Sequence, residues 1–382
     1  MSLLLLFVIC VACICIYATV ATRINVAPFV VGGLSSIINY AGSSTLMTTL
    51  MKLPFDDAKY KHTILSANKY IVGENEYLRR HHKRPTVDQI VAPCYDLDYT
   101  FVIHPTDTII QGDLARGIPF EKVLISALSA FMPLRVNDAK PLTMFDVGAN
   151  IGTVSIPLSR AAQVYSFEPF YANFALLKEN IRINNSTAIP LCIAIGDKTR
   201  KSVSLSSAVR VSPKEKAHAK SKSDYKEIDD KLAKINFGAI QLGMGGQSTP
   251  MYTIDDLSMD VDIIKVDVEG AEPLVFWGAR DTIARCLPII AFERNDATIS
   301  RKICKASGCV AAAANFDIVA FCHTLGYNAI YQDPGDNFIL THPSHTPRRD
   351  AEFKYRPIGA LRRQRQFDTR GYTLYDYGAP WL

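Results

Sequence analysis

Acidic residues recur in this chain where apolar runs end. Asp146 follows Leu142–Phe145 and opens the stretch FDVGANIGTVS; Glu168 closes QVYSFE, Asp197 closes LCIAIGD, Asp267 and Glu269 close IIKVDVE, and Glu293 closes PIIAFE. Gly148 and Gly152 allow backbone to pass close to a ligand, and a helix after them turns its positive N-terminus toward it. A pyrophosphate loop prefers GxGxxG; here the spacing is GxxxG with Asn150 between. Glu168 stands 22 residues after Asp146, where a carboxylate can accept both hydroxyls of a ribose. The same placement serves a nicotinamide dinucleotide, so the pair indicates an adenosine-like cofactor before it indicates which one. Asp267 can orient a substrate hydroxyl or take its proton; the alternative is a structural carboxylate bonded to backbone N–H groups. Glu269 heads the next helix and either acts on a substrate or simply suits the helix dipole. Glu293 is the third catalytic candidate.

These acids need a scaffold that gathers strand ends. PLTMFDVG, QVYSFEP, AIPLCIAIGD, KSVSLSS, VDIIKVDVEG and LPIIAFERN read as strands. NIGTVSIPLSRAA, YANFALLKENIRIN and AEPLVFWGARDTIA read as helices, the last with proline in its first turn. Strand–helix alternation means a parallel sheet covered on both faces, with ligands at the carboxyl ends of its strands. DLDYTFVIHPTDTII (96–110) is predicted to form a hairpin turning at His104–Asp107, GIPFEKVLISALSAFM (117–132) a helix, and the segment around AIYQDPGDNFILT a closing hairpin. Thr253 is placed to cap a short turn over TIDDL, so Asp255 and Asp256 read as helix-start residues.

The runs FDVGANIG, VYSFEPFYANFALLKENIRINN, AIGD, YTIDDL, IIKVDVEGAEPLVFWGA and PIIAFE resemble, in order, the FkbM-family S-adenosylmethionine-dependent methyltransferases. The resemblance covers about residues 96–295 and implies a class I methyltransferase fold: an α/β, Rossmann-like, doubly wound sheet of seven strands with a reversed C-terminal hairpin. It implies that Asp146, Gly148, Asn150 and Gly152 surround the methionine part of S-adenosylmethionine and that Glu168 takes the ribose hydroxyls. Asp197, or the backbone near Ala194–Ile195, would lie by the adenine. Two features depart from the family pattern: Pro157, within the helix after the glycine loop, and a long insertion at 206–247.

Composition bounds the rest. Net charge is +5, yet 198–235 and 341–382 together carry +10, so the remainder is about −5. A basic excess confined to two segments argues against nucleic acid bound over a broad face. No His/Cys cluster has metal spacing, so no metal is implied, and the nine cysteines demand no disulfide framework. Residues 3–20 are uncharged and, as a helix, would rise about 27 Å, close to a hydrocarbon core. They read as a retained single-pass anchor, with a cleaved signal peptide as the rival. The predicted organisation is an anchor at 1–22, a stem or linker at 23–85, a methyltransferase domain at 86–345 with its insertion, and a basic tail at 346–382. Arg23 after the apolar run favours a cytosolic domain. The expected activity is O-methylation of a hydroxyl on a glycan, glycolipid or small molecule. The rivals are a membrane-tethered binding module on a degenerate methyltransferase fold and a nicotinamide-dependent oxidoreductase.

Overall fold

A computed structural model describes residues 45–72, 98–105, 107, 110–132, 142–206, 238–243, 245–293, 295, 297–332, 337–345, 366–367 and 373–374. The apolar run 3–20, the first part of the stem, the interior of the insertion and most of the tail lie outside these residues. No described helix is long and apolar enough to cross a membrane.

The strands are β1 (Asn68–Val72), β2 (Tyr99–Ile103), β3 (Leu142–Val147), β4 (Ala162–Phe167), β5 (Ile189–Leu191), β6 (Ala194–Ile195), β7 (Arg200–Ser204), β8 (Ser248–Tyr252), β9 (Ile263–Val266), β10 (Ile289–Glu293), β11 (Ala329–Gln332), β12 (Asn337–Thr341), β13 (Gln366–Phe367) and β14 (Thr373–Leu374). Nine form one sheet in the order β13-β14-β11-β12-β10-β9-β3-β4-β5. Neighbours from β5 to β10 run parallel, and β12 and β11 join antiparallel. The seven strands from β5 to β11 are thus the expected α/β sheet with its reversed hairpin. The inner strands are apolar almost without interruption because both faces are buried; β9 is buried at every position. Two short pieces of the tail, β13 and β14, extend the edge beyond β11.

Several predicted elements take another form. Among the described residues of 96–110 no hairpin forms. β2 pairs instead with β1, a strand from the stretch read as stem. Its other edge is taken by Asn180 of the helix Tyr171–Ile183 and by Asn184, the C-cap of that helix. Asn180 and Asn184 accept the N–H groups of Val102 and Thr100 and donate to their carbonyls. The His104–Asp107 turn signal is a helix start: Asp107 Oδ1 accepts the N–H of Ile110, where the helix Ile110–Leu114 begins. The stem residues 45–72 therefore pack as part of the folded unit that begins at Thr45. Phe55 rests on Phe174 at 4.8 Å, and Lys178 pairs with Asp57 at 2.7 Å.

The helix after the glycine loop shrinks to Ser155–Leu158. Gly148, Asn150 and Gly152 all take positive φ, which a right-handed helix excludes, so it cannot start earlier. The predicted helix over 271–284 is broken at Gly278 into Glu272–Trp277 and Arg280–Cys286. A side chain at Gly278 would collide with the carbonyl of Gly196. The AIPLCIAIGD run is also split: β5 stays in the main sheet and β6 joins a small sheet with β8 and β7. Thr253 caps the turn as predicted, and Asp256 returns a bond to its backbone N–H to complete a capping box.

Candidate active site

The chain leaves β3, runs outward to β5 and returns to β9, so strand order reverses between β3 and β9. That reversal opens a crevice at the carboxyl ends of the strands. A cleft of about 640 Å³ occupies it. Gly148 and Asn150 line it beyond β3, Glu168 beyond β4, Ala194 and Ile195 beyond β5, Asp267 and Glu269 beyond β9, and Glu293 at the end of β10. Strand ends far apart in sequence are thus brought to one wall.

Three sequence-predicted residues stand behind that wall. Asp146 is fully buried; its Oδ2 accepts a hydrogen bond from Ser155 Oγ at 2.6 Å, and its Oδ1 lies 3.2 Å from Lys265 Nζ. Gly152 packs on Leu177 and Ile156, where a Cβ would crowd both. Asp197 is taken up by Arg200 at 2.9 Å and by the N–H of Val310 at 2.6 Å. Beyond β5 the cleft is therefore lined by Ala194 and Ile195 and not by the Asp197 carboxylate, which is taken up by Arg200 and Val310.

Glu168 is 5% exposed, and its two oxygens accept the N–H groups of Asn150 at 2.8 Å and Phe170 at 2.9 Å. Each carboxylate oxygen has a second lone pair, so both can still accept a ligand hydroxyl. Burial pushes its pKa up to about 7, against the pull of those two N–H groups and of Lys265. Asn150 holds a left-handed φ of 51° that points the loop at the cleft, and its buried Oδ1 has no hydrogen-bond partner among the described residues. A buried amide oxygen left in that state favours a donor from a bound molecule.

Lys265 was not singled out by sequence reasoning, yet it ties the site together. It is 3% exposed, donates to the carbonyl of Gly148 at 3.0 Å, and reaches Asp146 and Asp267 Oδ2 at 3.2 and 3.5 Å. Burial works against its charge, but Asp146 and Asp267 outweigh burial and hold the ammonium above the ordinary lysine range. The signal available was the alternation Lys265, Asp267, Glu269 along one strand face. Glu272 was missed as well. Its Oε1 accepts the N–H groups of Val268 at 3.0 Å and Gly270 at 3.1 Å, which pins the turn carrying Asp267 and Glu269. The Glu293 carboxyl is pushed upward by burial and by the negative charge of the nearby Asp267 carboxylate. Asn173, on the cleft wall, meets the buried His104 ring at 3.1 Å. Burial lowers the pKa of His104 to about 4, so that ring is neutral at pH 7.

The ends of the basic insertion also reach the cleft. Leu205, Gly238, Ile240 and Leu242 line it, with Leu205 and Leu242 joined as a bridge. These described residues at the two ends of the insertion form one side of the cleft.

Residues 146–327 match the family model of the Methyltransferase FkbM domain. No curated protein matches the chain. Among solved structures, it is similar to the methyltransferase FkbM from Methylobacillus flagellatus KT, with 17% identity and a TM-score of 0.33 over 55% of this chain and 47% of that one. It is also similar to the Pyrococcus abyssi tRNA (uracil-54, C5)-methyltransferase in complex with S-adenosyl-L-homocysteine, with 15% identity and a TM-score of 0.26 over 51% and 32%. A third is the precorrin-6y C5,15-methyltransferase from Geobacter metallireducens GS-15, with 11% identity and a TM-score of 0.29 over 62% and 97%. The chain spans less than half the length of the first of these and about a third of the second.

Proposed function

We propose, from the match of residues 146–327 to the Methyltransferase FkbM domain model, that the chain transfers a methyl group from S-adenosylmethionine to a hydroxyl of a glycan, glycolipid or small molecule. The observation that carries the reading is Glu168, fixed by two backbone N–H groups at the end of β4 and facing the cleft. The donor set suits the cofactor. Glu168 would accept the ribose hydroxyls, the unpartnered Oδ1 of Asn150 would accept from the α-amino group, and Ala194–Ile195 would flank the adenine. When bound, the cofactor supplies an electrophilic methyl on a sulfonium.

Asp267 stands at the end of β9, its side chain 26% exposed on the cleft. It would orient the acceptor hydroxyl and take up its proton. Lys265 fixes its carboxylate, and the turn pinned by Glu272 sets its height above the sheet. Glu269 and Glu293 complete the acidic wall on the acceptor side.

Calorimetry with S-adenosylhomocysteine tests this reading. Glu168→Ala should lose charged hydrogen bonds worth roughly 1.5–3 kcal/mol, or about one to two decades of affinity. Equal affinity in mutant and wild type would sink the ribose assignment. The raised pKa of Glu168 adds a pH signature. Its folded value lies above the ordinary carboxyl value, so its contribution to stability is fully present below that ordinary value and is lost as pH rises through about 7. Ligand binding needs the charged form, so affinity should rise roughly tenfold from pH 6 to pH 8 and then level off. Glu168→Gln should flatten that rise.

The apolar run 3–20 is proposed to hold the enzyme at a membrane, with the domain in the cytosol where the cofactor is made. The Cys304–Cys309 disulfide, which the sequence did not demand, is the feature that argues for an oxidising compartment. The sequence NNST at 184–187 reports on this. The Asn184 amide is engaged with Thr100 and Asn180, whereas Asn185 is exposed, so Asn185 is the site a lumenal domain would glycosylate. Glycosidase treatment of the full-length protein from eukaryotic cells should leave its gel mobility unchanged. A downward shift that disappears in Asn185→Gln would place the domain in the lumen.

A further inference from the structure

Three carboxylates converge at one corner of the cleft. Asp267 and Glu293 line it, and Glu272 stands behind them, 4% exposed. One oxygen from each lies within 4.8 Å of the others. Asn295 Nδ2 bridges two of them, 3.3 Å from Glu272 Oε1 and 3.3 Å from Glu293 Oε2, so the Glu272 carboxylate faces the cluster.

Acidic residues crowd together on many surfaces without consequence. Here a second observation singles the cluster out. The Oε2 of Glu272 is buried and has no hydrogen-bond partner among the described residues. Its partner oxygen is saturated by two backbone N–H groups and by Asn295. A desolvated carboxylate oxygen in that state is costly unless something positive meets it. Lys265 does not: its contacts are Gly148, Asp146 and Asp267. With all groups ionised, Asp146, Asp267, Glu272 and Glu293 carry four negative charges against the one positive charge of Lys265, an excess of three.

We propose that Asp267, Glu272 and Glu293 bind one hard divalent cation at the acceptor side of the cleft. The ligand set is all oxygen, which suits Mg²⁺, Mn²⁺ or Ca²⁺ and disfavours zinc. Oxygens bound at about 2.0–2.6 Å to one ion lie no more than roughly 4–5 Å apart, and the carboxylate spacing satisfies that limit. Glu272 supplies a fixed ligand at the back. Asp267 and Glu293 open the site to the cleft, which leaves coordination positions for water or for an acceptor oxygen. The cation site itself does not depend on the methyl-transfer reading. Resting on that reading, the ion would lower the pKa of an acceptor hydroxyl it touches.

Electron paramagnetic resonance of Mn²⁺, added to the full-length chain without cofactor, tests the site. The wild type should remove one Mn²⁺ per chain from the free-ion spectrum. Glu272→Gln and Glu293→Gln should each weaken uptake by at least roughly tenfold, the loss expected even for an outer-shell partner. Asp260→Asn, an exposed acid elsewhere, should change nothing. A wild-type sample that leaves millimolar Mn²⁺ free would overturn the proposal, and so would uptake unchanged in both glutamine variants. Should Glu272→Gln fail to fold, Glu293→Gln on the cleft wall decides alone. Calorimetry with S-adenosylhomocysteine on the same sample separates the two readings. Mn²⁺ uptake without nucleoside binding keeps the cation site and removes methyl transfer; the reverse result does the opposite.

Discussion

Lys265→Met is expected to destabilise the domain by about 3–5 kcal/mol, the usual cost of removing one partner of a buried ion pair. Lys265 and Asp146 are almost wholly buried, and methionine matches the length of the stem without the charge. The substitution leaves a buried carboxylate with Ser155 as its remaining polar contact and strips the Gly148 carbonyl of its donor. Urea denaturation followed by circular dichroism reads the loss, and the melting temperature should fall by roughly 10 °C for a domain of this size. Pairing the change with Asp146→Asn should recover part of the loss, because the stranded charge goes with it. A single variant within about 1 kcal/mol of wild type would mean that Lys265 and Asp146 are not the ion pair described here.

Asp267→Asn carries the second large effect, on turnover. The substitution keeps volume and one acceptor oxygen but removes the charge that draws the hydroxyl proton. General-base assistance is worth about 10²–10⁴-fold, so labelled-methyl transfer should fall by about that factor. S-adenosylhomocysteine affinity should stay within about threefold, since Glu168, Asn150 and the Ala194–Ile195 backbone are the groups proposed to hold the cofactor. The acceptor is found first, by labelled-methyl transfer into fractionated glycans, lipids and proteins. Turnover within a factor of about two of wild type on that acceptor would remove Asp267 from the chemistry, because general-base loss is far larger. A parallel loss of nucleoside affinity would move it to the cofactor side.

Sequence alone determined the sheet and the strand ends. Continuous apolar runs such as IIKV and IIAF must be buried on both faces, and a charged residue directly after each run marks where the strand meets solvent or ligand. That logic puts Glu168, Asp267 and Glu293 at the carboxyl ends of strands, where the cleft lies. The GxxxG loop with Asn150 was legible for a local reason: positive φ at three positions ends regular structure whatever surrounds it.

Only the tertiary structure decided which polar groups face the cleft and which hold its wall. Asp146 follows the same sequence pattern as Glu168, yet it is consumed by a basic partner brought from elsewhere, Lys265 from the neighbouring strand. Pairing of this kind depends on distances set by strand order, which residue spacing does not encode. The same holds for β2. Its sequence allows a hairpin, but β1 and the amides of Asn180 and Asn184 take both of its edges, and a backbone edge already paired has nothing left to offer a third strand. Glu272 is the clearest case. In sequence it is an ordinary acid at a helix start; its buried, unpartnered oxygen beside Asp267 and Glu293 exists only because two adjacent parallel strands end at the same height.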